Sequence, residues 1–255
     1  MLTRNQIQFV NSLKLKKHRD RHKLFVAEGV KIVTELVHSK IKVNQIYYLK
    51  DYRSKLIPSE TIEYIEVTQN ELERISSVVT PNEVLAVCEI PICNFEPDVF
   101  KNKLTLVLDD MQDPGNLGTI IRIADWFGIR NIICSKETAD AYNSKVVQST
   151  MGSISRVNVY YQDLVSCFES ELVYLDLPVY GALLNGENIY TKKLISKGFI
   201  IIGNESRGIS ENLYQFITDK ISIPSFSTHV DTGEAESLNA AVATAIICSE
   251  FRRRK

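Results

Sequence analysis

Four apolar runs in this chain end in glycines and small polar side chains. LTLVL leads into DDMQDPGNLG, PVY into GALLNGEN, FIII into GNESRG, and ISI into PSFSTHVDTGEAESLN. If the runs are strands of a parallel sheet, these loops lie beyond their carboxyl ends, where helix N-termini and backbone donors face a ligand. In DPGNLG, Pro114 fixes φ and Gly115 relieves the turn, so Asn116 is placed to cap the helix that follows. Arg122 comes one to two turns later among Ile120, Ile121, Ile123 and Ala124. An arginine in that setting pairs, faces a ligand, or snorkels to solvent. Glu205 stands between Gly203 and Gly208, where a carboxylate can orient an arginine, accept from a hydroxyl, or simply be solvated on a turn. In SLNAAVATAIICSEF, Ser237 reads as the N-cap and Asn239 falls in the first turn. That helix is apolar nearly all round, so it is expected in a core or against another chain.

Several chemistries are excluded by what is missing. There is no GxxxxGK[ST] phosphate loop, no GxGxxG after a strand, and no GxSxG nucleophile elbow. Cys88, Cys93, Cys134, Cys167 and Cys248 are odd in number and include no CxxC pair, so buried thiols are expected rather than disulfides or zinc. His18 and His22 are four apart and could share a helix face. They sit in KLKKHRDRHK, whose cationic neighbours would repel a metal ion, so no metal is expected.

The elements that must position these residues fall into two groups. A polar-basic helix is expected over Thr3–Lys17, then LFVAEG as a strand, VKIVTELVHS as a helix, QIYYL and IEYIEV as strands, NELERISS as a helix and EVLAVCEI as a strand. PICNFEPDVFKNK has two prolines and no clean period, and reads as a linker. Beyond it, LTLVLD, RNIIC, RVNVYY, PVYGALL, GFIIIGN and KISIP are strand candidates. NLGTIIRIADWF, SKVVQST, LVSCFESEL, SENLYQFI and SLNAAVATAIICSEF are helix candidates. Strands apolar throughout indicate a parallel sheet with helices on both faces. The expected class is therefore α/β, with a small α/β domain over residues 1–90, a linker over 91–103 and a parallel-sheet α/β domain over 104–255.

At 255 residues with 44% hydrophobic and 24% charged side chains, the chain has the composition of an ordinary globular protein. No apolar stretch approaches the roughly 18 residues of a membrane span, and the N-terminus has no signal-like apolar core, so a cytoplasmic protein without a membrane partner is expected. The net charge of −1 conceals an asymmetry: residues 1–58 carry 13 basic and 4 acidic side chains, leaving the remainder strongly acidic. Lys14, Lys16, Lys17, Arg19, Arg21 and Lys23 form the densest basic run, suited to a polyanion or, on the plainer reading, to a solvated helix end.

DPGNLGTIIRIADWFG, FIIIGNESRGIS, and SIP followed by ESLNAAVATAI resemble, in order, the three motifs of the SpoU family of RNA ribose 2′-O-methyltransferases, in the SPOUT superfamily. The resemblance covers roughly Leu104–Phe251, and FVAEGVKIVTEL is similar to the start of the substrate-binding domain of many members, which resembles RNA-binding ribosomal proteins. It implies a trefoil knot in the C-terminal domain, against the general rule that chains do not thread loops. It also implies a homodimer, S-adenosylmethionine as cofactor, and structured RNA as substrate, with ribosomal RNA favoured over transfer RNA. A transfer-RNA enzyme and a non-catalytic RNA-binding dimer are the alternatives. Arg122 matches the arginine assigned to the ribose 2′-hydroxyl, often across the dimer. Glu205 and Asn239 match residues around the reacting centre, and Asn116 a supporting one. Ala182, Leu183, Gly203, Ile223 and Leu238 match positions lining the adenosine pocket. The basic run would then meet RNA phosphates. The chain departs from the common pattern at Ala182, where a threonine is frequent, and after Pro224, where SFSTHVDTGEAE is long; no cofactor contact is assigned to that segment.

Overall fold

The computed structural model describes residues 1–78, 80–81, 83–226 and 237–253. They form two compact units: residues 1–92 with 140–156, and residues 93–139 with 157–255. The second segment of the first unit, 140–156, lies within what reads in sequence as the catalytic part. The contiguous division expected from sequence therefore differs from the compact units in that segment and at 91–103, where residues 93–103 belong to the second unit and Phe100 is buried in its core.

The first unit opens on α1 (Arg4–Ser12) and α2 (Lys16–His22). This differs from the single helix expected over Thr3–Lys17. Thr3 starts α1 with a reciprocal cap through Gln6, and the chain is extended at Leu15 before α2 begins. Then follow β1 (Leu24–Glu28), α3 (Val30–Val37), β2 (Val43–Leu49), β3 (Glu63–Val67), α4 (Gln69–Ile75) and β4 (Val84–Glu89). The sheet order is β1-β4-β2-β3; β4 runs antiparallel to both neighbours, and β2 runs parallel to β3. Val10 and Leu13 from the first helical segment, Leu72 and Ile75 from α4, and Tyr47 and Leu85 from the sheet share one buried cluster. Thr68 caps α4 through a second reciprocal pair, in which Glu71 also accepts from the Leu2 amide at 2.5 Å. The contributed segment carries α6 (Ser144–Thr150), which packs on β1, with Tyr142 against Phe25 at 5.0 Å between ring centroids.

The second unit contains β5 (Leu104–Leu108), α5 (Pro114–Trp126), β6 (Asn131–Ser135), β7 (Asn158–Gln162) and a short α7 (Leu164–Ser166) that continues as a π turn. After these come β8 (Val179–Asn188), β9 (Gly198–Ile202), β10 (Asp219–Ser222) and α8 (Ala240–Arg253). All six strands are parallel, in the order β10-β8-β9-β5-β6-β7. β5, β6 and β9 are buried along their whole length, as the unbroken apolar runs require of strands with both faces covered. Phe100, Tyr160, Phe168 and Phe199 fill a cluster with Val107, Ile133 and Ile201. α5 packs on α8, whose Phe251 ring meets Tyr180 of β8 at 4.8 Å. SENLYQFI, expected as an α-helix, is a 3-10 turn over Glu211–Phe216. Among the described residues no helix is long and apolar enough to cross a membrane.

Candidate active site

Three of the four loops noted above follow the carboxyl ends of β5, β9 and β10; GALLNGEN, expected as the fourth, instead lies within β8, and β10-β8-β9-β5 are neighbours in the sheet. The loop after β5 turns through Asp110, whose φ of 55° is left-handed. The Asp110 and Met111 amides donate to the hydroxyls of Ser135 (3.0 Å), at the end of β6, and Thr138 (3.3 Å), just beyond it. On the other side it holds the GNESRG loop. Asn204 Nδ2 donates to the Asp110 carbonyl (2.8 Å), Arg207 pairs with the Asp110 carboxylate, and the Ser210 amide donates to buried Asp109 (2.7 Å). GNESRG closes on itself through paired backbone bonds between Asn204 and Gly208. At Gly203 a Cβ would lie 2.2 Å from the Gly208 backbone, so only glycine permits the closure.

Within this frame α5 starts differently from the expected cap at Asn116. Asp113 is the N-cap, accepting from the Asn116 amide at 2.7 Å, with Pro114 in the first turn. The Asn116 carboxamide is therefore free to act elsewhere. Asn239, not Ser237, caps α8: its Oδ1 accepts from the amides of Ala241 (3.0 Å) and Val242 (3.3 Å). With the oxygen so engaged, Asn239 presents Nδ2, which donates to Asn116 Oδ1 (2.9 Å). Asn116 Nδ2 then donates to Glu205 Oε1 (2.5 Å). Helix geometry thus sets the direction of a three-residue ladder that ends on a carboxylate, which can only accept. Three of the four residues expected at the reacting centre meet here.

Arg122 does not join them. It is exposed, and among the described residues it has no hydrogen bond or ion pair. Six residues of helix turn it about 120° away from Asn116 and carry it about 9 Å along the axis. Beside it, Thr119 and Trp126 are also exposed, Trp126 at 85%.

Of the expected cofactor positions, Ala182 and Leu183 lie in a bulge within β8. β8 pairs with β9 only to Gly181, and its register with β10 jumps from Gly181 to Glu187. Residues 182–186 therefore have no ladder partner in those pairings. At Gly186 a Cβ would fall 2.4 Å from the Ile221 backbone, so the bulge is pressed against β10. Lys192 staples it, donating to Asp219 before the bulge (2.9 Å) and Glu187 after it (3.1 Å). The Asp219 bond chiefly pushes the Lys192 pKa up. Burial pushes the Asp219 pKa up, but bonds from Lys192 and Thr218 outweigh it and leave the carboxyl below its ordinary value. Gly203 and Ile223 directly follow β9 and β10, and Leu238, 48% exposed, precedes α8. A bulged strand beside glycine-tight turns at strand ends fits a cofactor held by main-chain groups. Asp113, Asp110, Arg207 and Lys192 were missed in the sequence. Only Asp113 had a signal there, the Asp-Pro of a helix start.

In the first unit the basic run divides. Lys17, Arg21 and Lys23 are exposed, as is Lys14, whose Nζ donates to the Ser76 carbonyl (2.8 Å). Lys16 is exposed and partnered. Arg19 is buried: it donates to the Leu13 and Lys14 carbonyls (2.8 Å each) and twice to Asp140 (2.6 and 3.2 Å). Four of its five N–H groups serve the fold, which corrects its expected place on an RNA face.

Residues 103–249 match the SpoU rRNA methylase family, and residues 4–86 match the MRM3-like substrate-binding domain. The chain belongs to the SpoU family. A similar relative is the 23S rRNA (guanosine(2553)-2'-O)-methyltransferase RlmP of Bacillus subtilis, 32% identical over 244 residues, covering 94% of this chain and 93% of the relative. Among solved structures, a TrmH-family protein from Porphyromonas gingivalis is 36% identical, with a TM-score of 0.88 and full coverage of both chains. The AdoMet-bound rRNA methyltransferase of Sinorhizobium meliloti is 28% identical, with a TM-score of 0.86, covering 100% of this chain and 96% of that one. The parallel α/β sheet expected from sequence is the fold these SpoU-like structures share.

Proposed function

We propose that this SpoU-family chain transfers a methyl group from S-adenosylmethionine to a ribose 2′-hydroxyl of structured RNA, with ribosomal RNA preferred to transfer RNA. The observation that carries the reading is the Asn239–Asn116–Glu205 ladder, which joins the three family motifs at the carboxyl ends of one parallel sheet. The cofactor supplies an activated methyl on a sulfonium. Ala182, Leu183, Gly203, Ile223 and Leu238 would hold it through the β8 bulge and the turns after β9 and β10. Glu205 has its second oxygen outside the ladder and can accept from an RNA hydroxyl or steer a guanidinium. An arginine side chain makes a poor base, so Arg122 acts by lowering the 2′-hydroxyl pKa electrostatically rather than by taking its proton.

The separation of Arg122 from the ladder on its own helix supports a homodimer, in which the partner's arginine completes each site. Exposed Trp126, together with Val242 at 49% and Leu238, supplies apolar surface for that contact. The same reading carries a trefoil knot in the C-terminal part, a substrate-reading part over residues 1–90, a linker over 91–103, a catalytic part over 104–255, and a cytoplasmic site of action.

The test uses two assays. Arg122→Ala should leave RNA affinity nearly unchanged while methyl transfer is lost. Methylation at the parent rate would remove the arginine from the mechanism. Mapping 2′-O-methyl groups in total RNA with and without the gene identifies the RNA class.

A further inference from the structure

We propose that Phe9, His22 and His18 form a stacking site for an unpaired nucleobase of RNA. This rests on the reading of the first unit as the part that meets RNA, and names the feature of RNA it takes.

Phe9 on α1 is half-buried against the core of the first unit, so its ring is anchored. The His22 ring stands edge-on to it, with centroids 5.3 Å apart and planes at 81°. The His18 ring is parallel to His22 within 9°, with centroids 6.4 Å apart. His22 sits at the last turn of α2, which Lys23 ends in a left-handed conformation with φ 55°. Three rings on two elements thus hold one another's orientation at a surface.

Neither imidazole has a hydrogen bond or an ion pair among the described residues. They are therefore not core histidines satisfied by the fold. Nor is there, among the described residues, any cluster of three or more His, Cys, Asp or Glu side chains able to hold a metal.

Lys17 and Arg21 form the row next to His18 and His22 on α2, about 100° around the helix. Both are exposed, as is Lys23. Rings with a row of cations on the adjoining part of the helix suit single-stranded RNA. The ammonium and guanidinium groups take phosphates, and the rings take splayed bases regardless of sequence. A duplex keeps its bases stacked internally and offers the rings nothing.

The experiment titrates the full chain with a hairpin RNA carrying 2-aminopurine in its loop, and with a blunt duplex of the same stem. His22→Ala should weaken hairpin binding about tenfold, leave duplex binding alone, and reduce the change in 2-aminopurine emission. His22→Trp should retain hairpin affinity. The salt slope should not move in either variant, because no phosphate contact is lost. Neutralising Lys17, Arg21 and Lys23 together should instead reduce that slope by about two to three. Parent-like hairpin affinity in His22→Ala, an equal loss on the duplex, or a slope change like that of the lysine variant would each overturn the stacking site. If only the charge-neutralised variant weakens, the stacking site fails and the RNA-meeting role of this unit stands. If that variant also binds as the parent does, the role fails with it.

Discussion

Arg19→Ala separates a structural arginine from an RNA contact. The Arg19 side chain is 3% exposed and that of Asp140 is 17% exposed, so the pair is largely withdrawn from water. Removing the guanidinium leaves the Asp140 carboxylate without its two charged donors and strips the Leu13 and Lys14 carbonyls of theirs. Breaking one side of a buried pair costs about 3–5 kcal/mol, and the partial exposure of Asp140 puts this case toward the lower end. The loss should appear in the first unit, where both partners lie. The chain's only tryptophan, Trp126, belongs to the other unit, so tryptophan fluorescence is the wrong probe. Amide exchange of β1 and β4 reports the right region. Protection there should fall by about a hundredfold or more, at about 1.4 kcal/mol per factor of ten. Arg19→Ala with Asp140→Ala should cost less than the two single losses added, because the orphaned charge is gone. Unchanged protection together with an RNA salt slope reduced by about one would refute the assignment and return Arg19 to the RNA face.

Asn116→Ala should cost little stability, since its partners are exposed and water can replace it, yet lower turnover about a hundredfold if the ladder positions the reacting groups; steady-state kinetics and a melting curve decide. Asn239→Ala removes the α8 cap as well, so it should lose about 1 kcal/mol of stability besides turnover. Lys192→Met should weaken S-adenosylmethionine binding by calorimetry while RNA affinity is kept, because it frees the β8 bulge; unchanged cofactor affinity would show that the bulge holds without its staple. Gly203→Val should abolish cofactor binding by opening the GNESRG turn. Glu71 has its pKa lowered, first by the Thr68 amide and then by Leu2. Its contribution is present above the ordinary glutamate pKa and lost as pH falls through the depressed one. Glu71→Gln should therefore flatten that part of the acid limb of stability.

The sheet of the second unit was legible in sequence because its strands are buried on both faces. LTLVL, NIIC and GFIII are apolar runs with nothing to alternate against, and each became a strand. The order of those strands was not legible. β8 lies beyond β9 although it precedes it in sequence, and no local pattern encodes that choice. Segment 140–156 fails for the same reason: SKVVQST is visibly a helix, but its packing on β1 depends on Arg19, Phe25 and Glu35 far away in the chain. Helix starts failed locally instead. Asp113 and Asn116 are both competent caps, and the Pro114 ring decided for Asp113 because proline suits the first helical turn.

Those misplaced caps bear on the chemistry. Were Asn116 the N-cap of α5, its side-chain oxygen would be spent on backbone amides and its amide could not link α8 to the GNESRG turn. Moving the cap to Asp113 places Asn116 at the third helical position, with its backbone satisfied by the aspartate and both ends of its side chain available. At α8 the opposite holds. Asn239 is the cap, and the engagement of its oxygen is what forces its nitrogen outward. One asparagine is useful because it does not cap, the other because it does, and together they hold the Glu205 carboxylate by one oxygen. Glutamine at position 116 would carry its amide one methylene further from the helix than the link needs, and aspartate there would oppose two carboxylates. The ladder thus accepts asparagine for reasons of length and of charge at once, while Arg122, which needs neither, stands apart on the exposed face of the same helix.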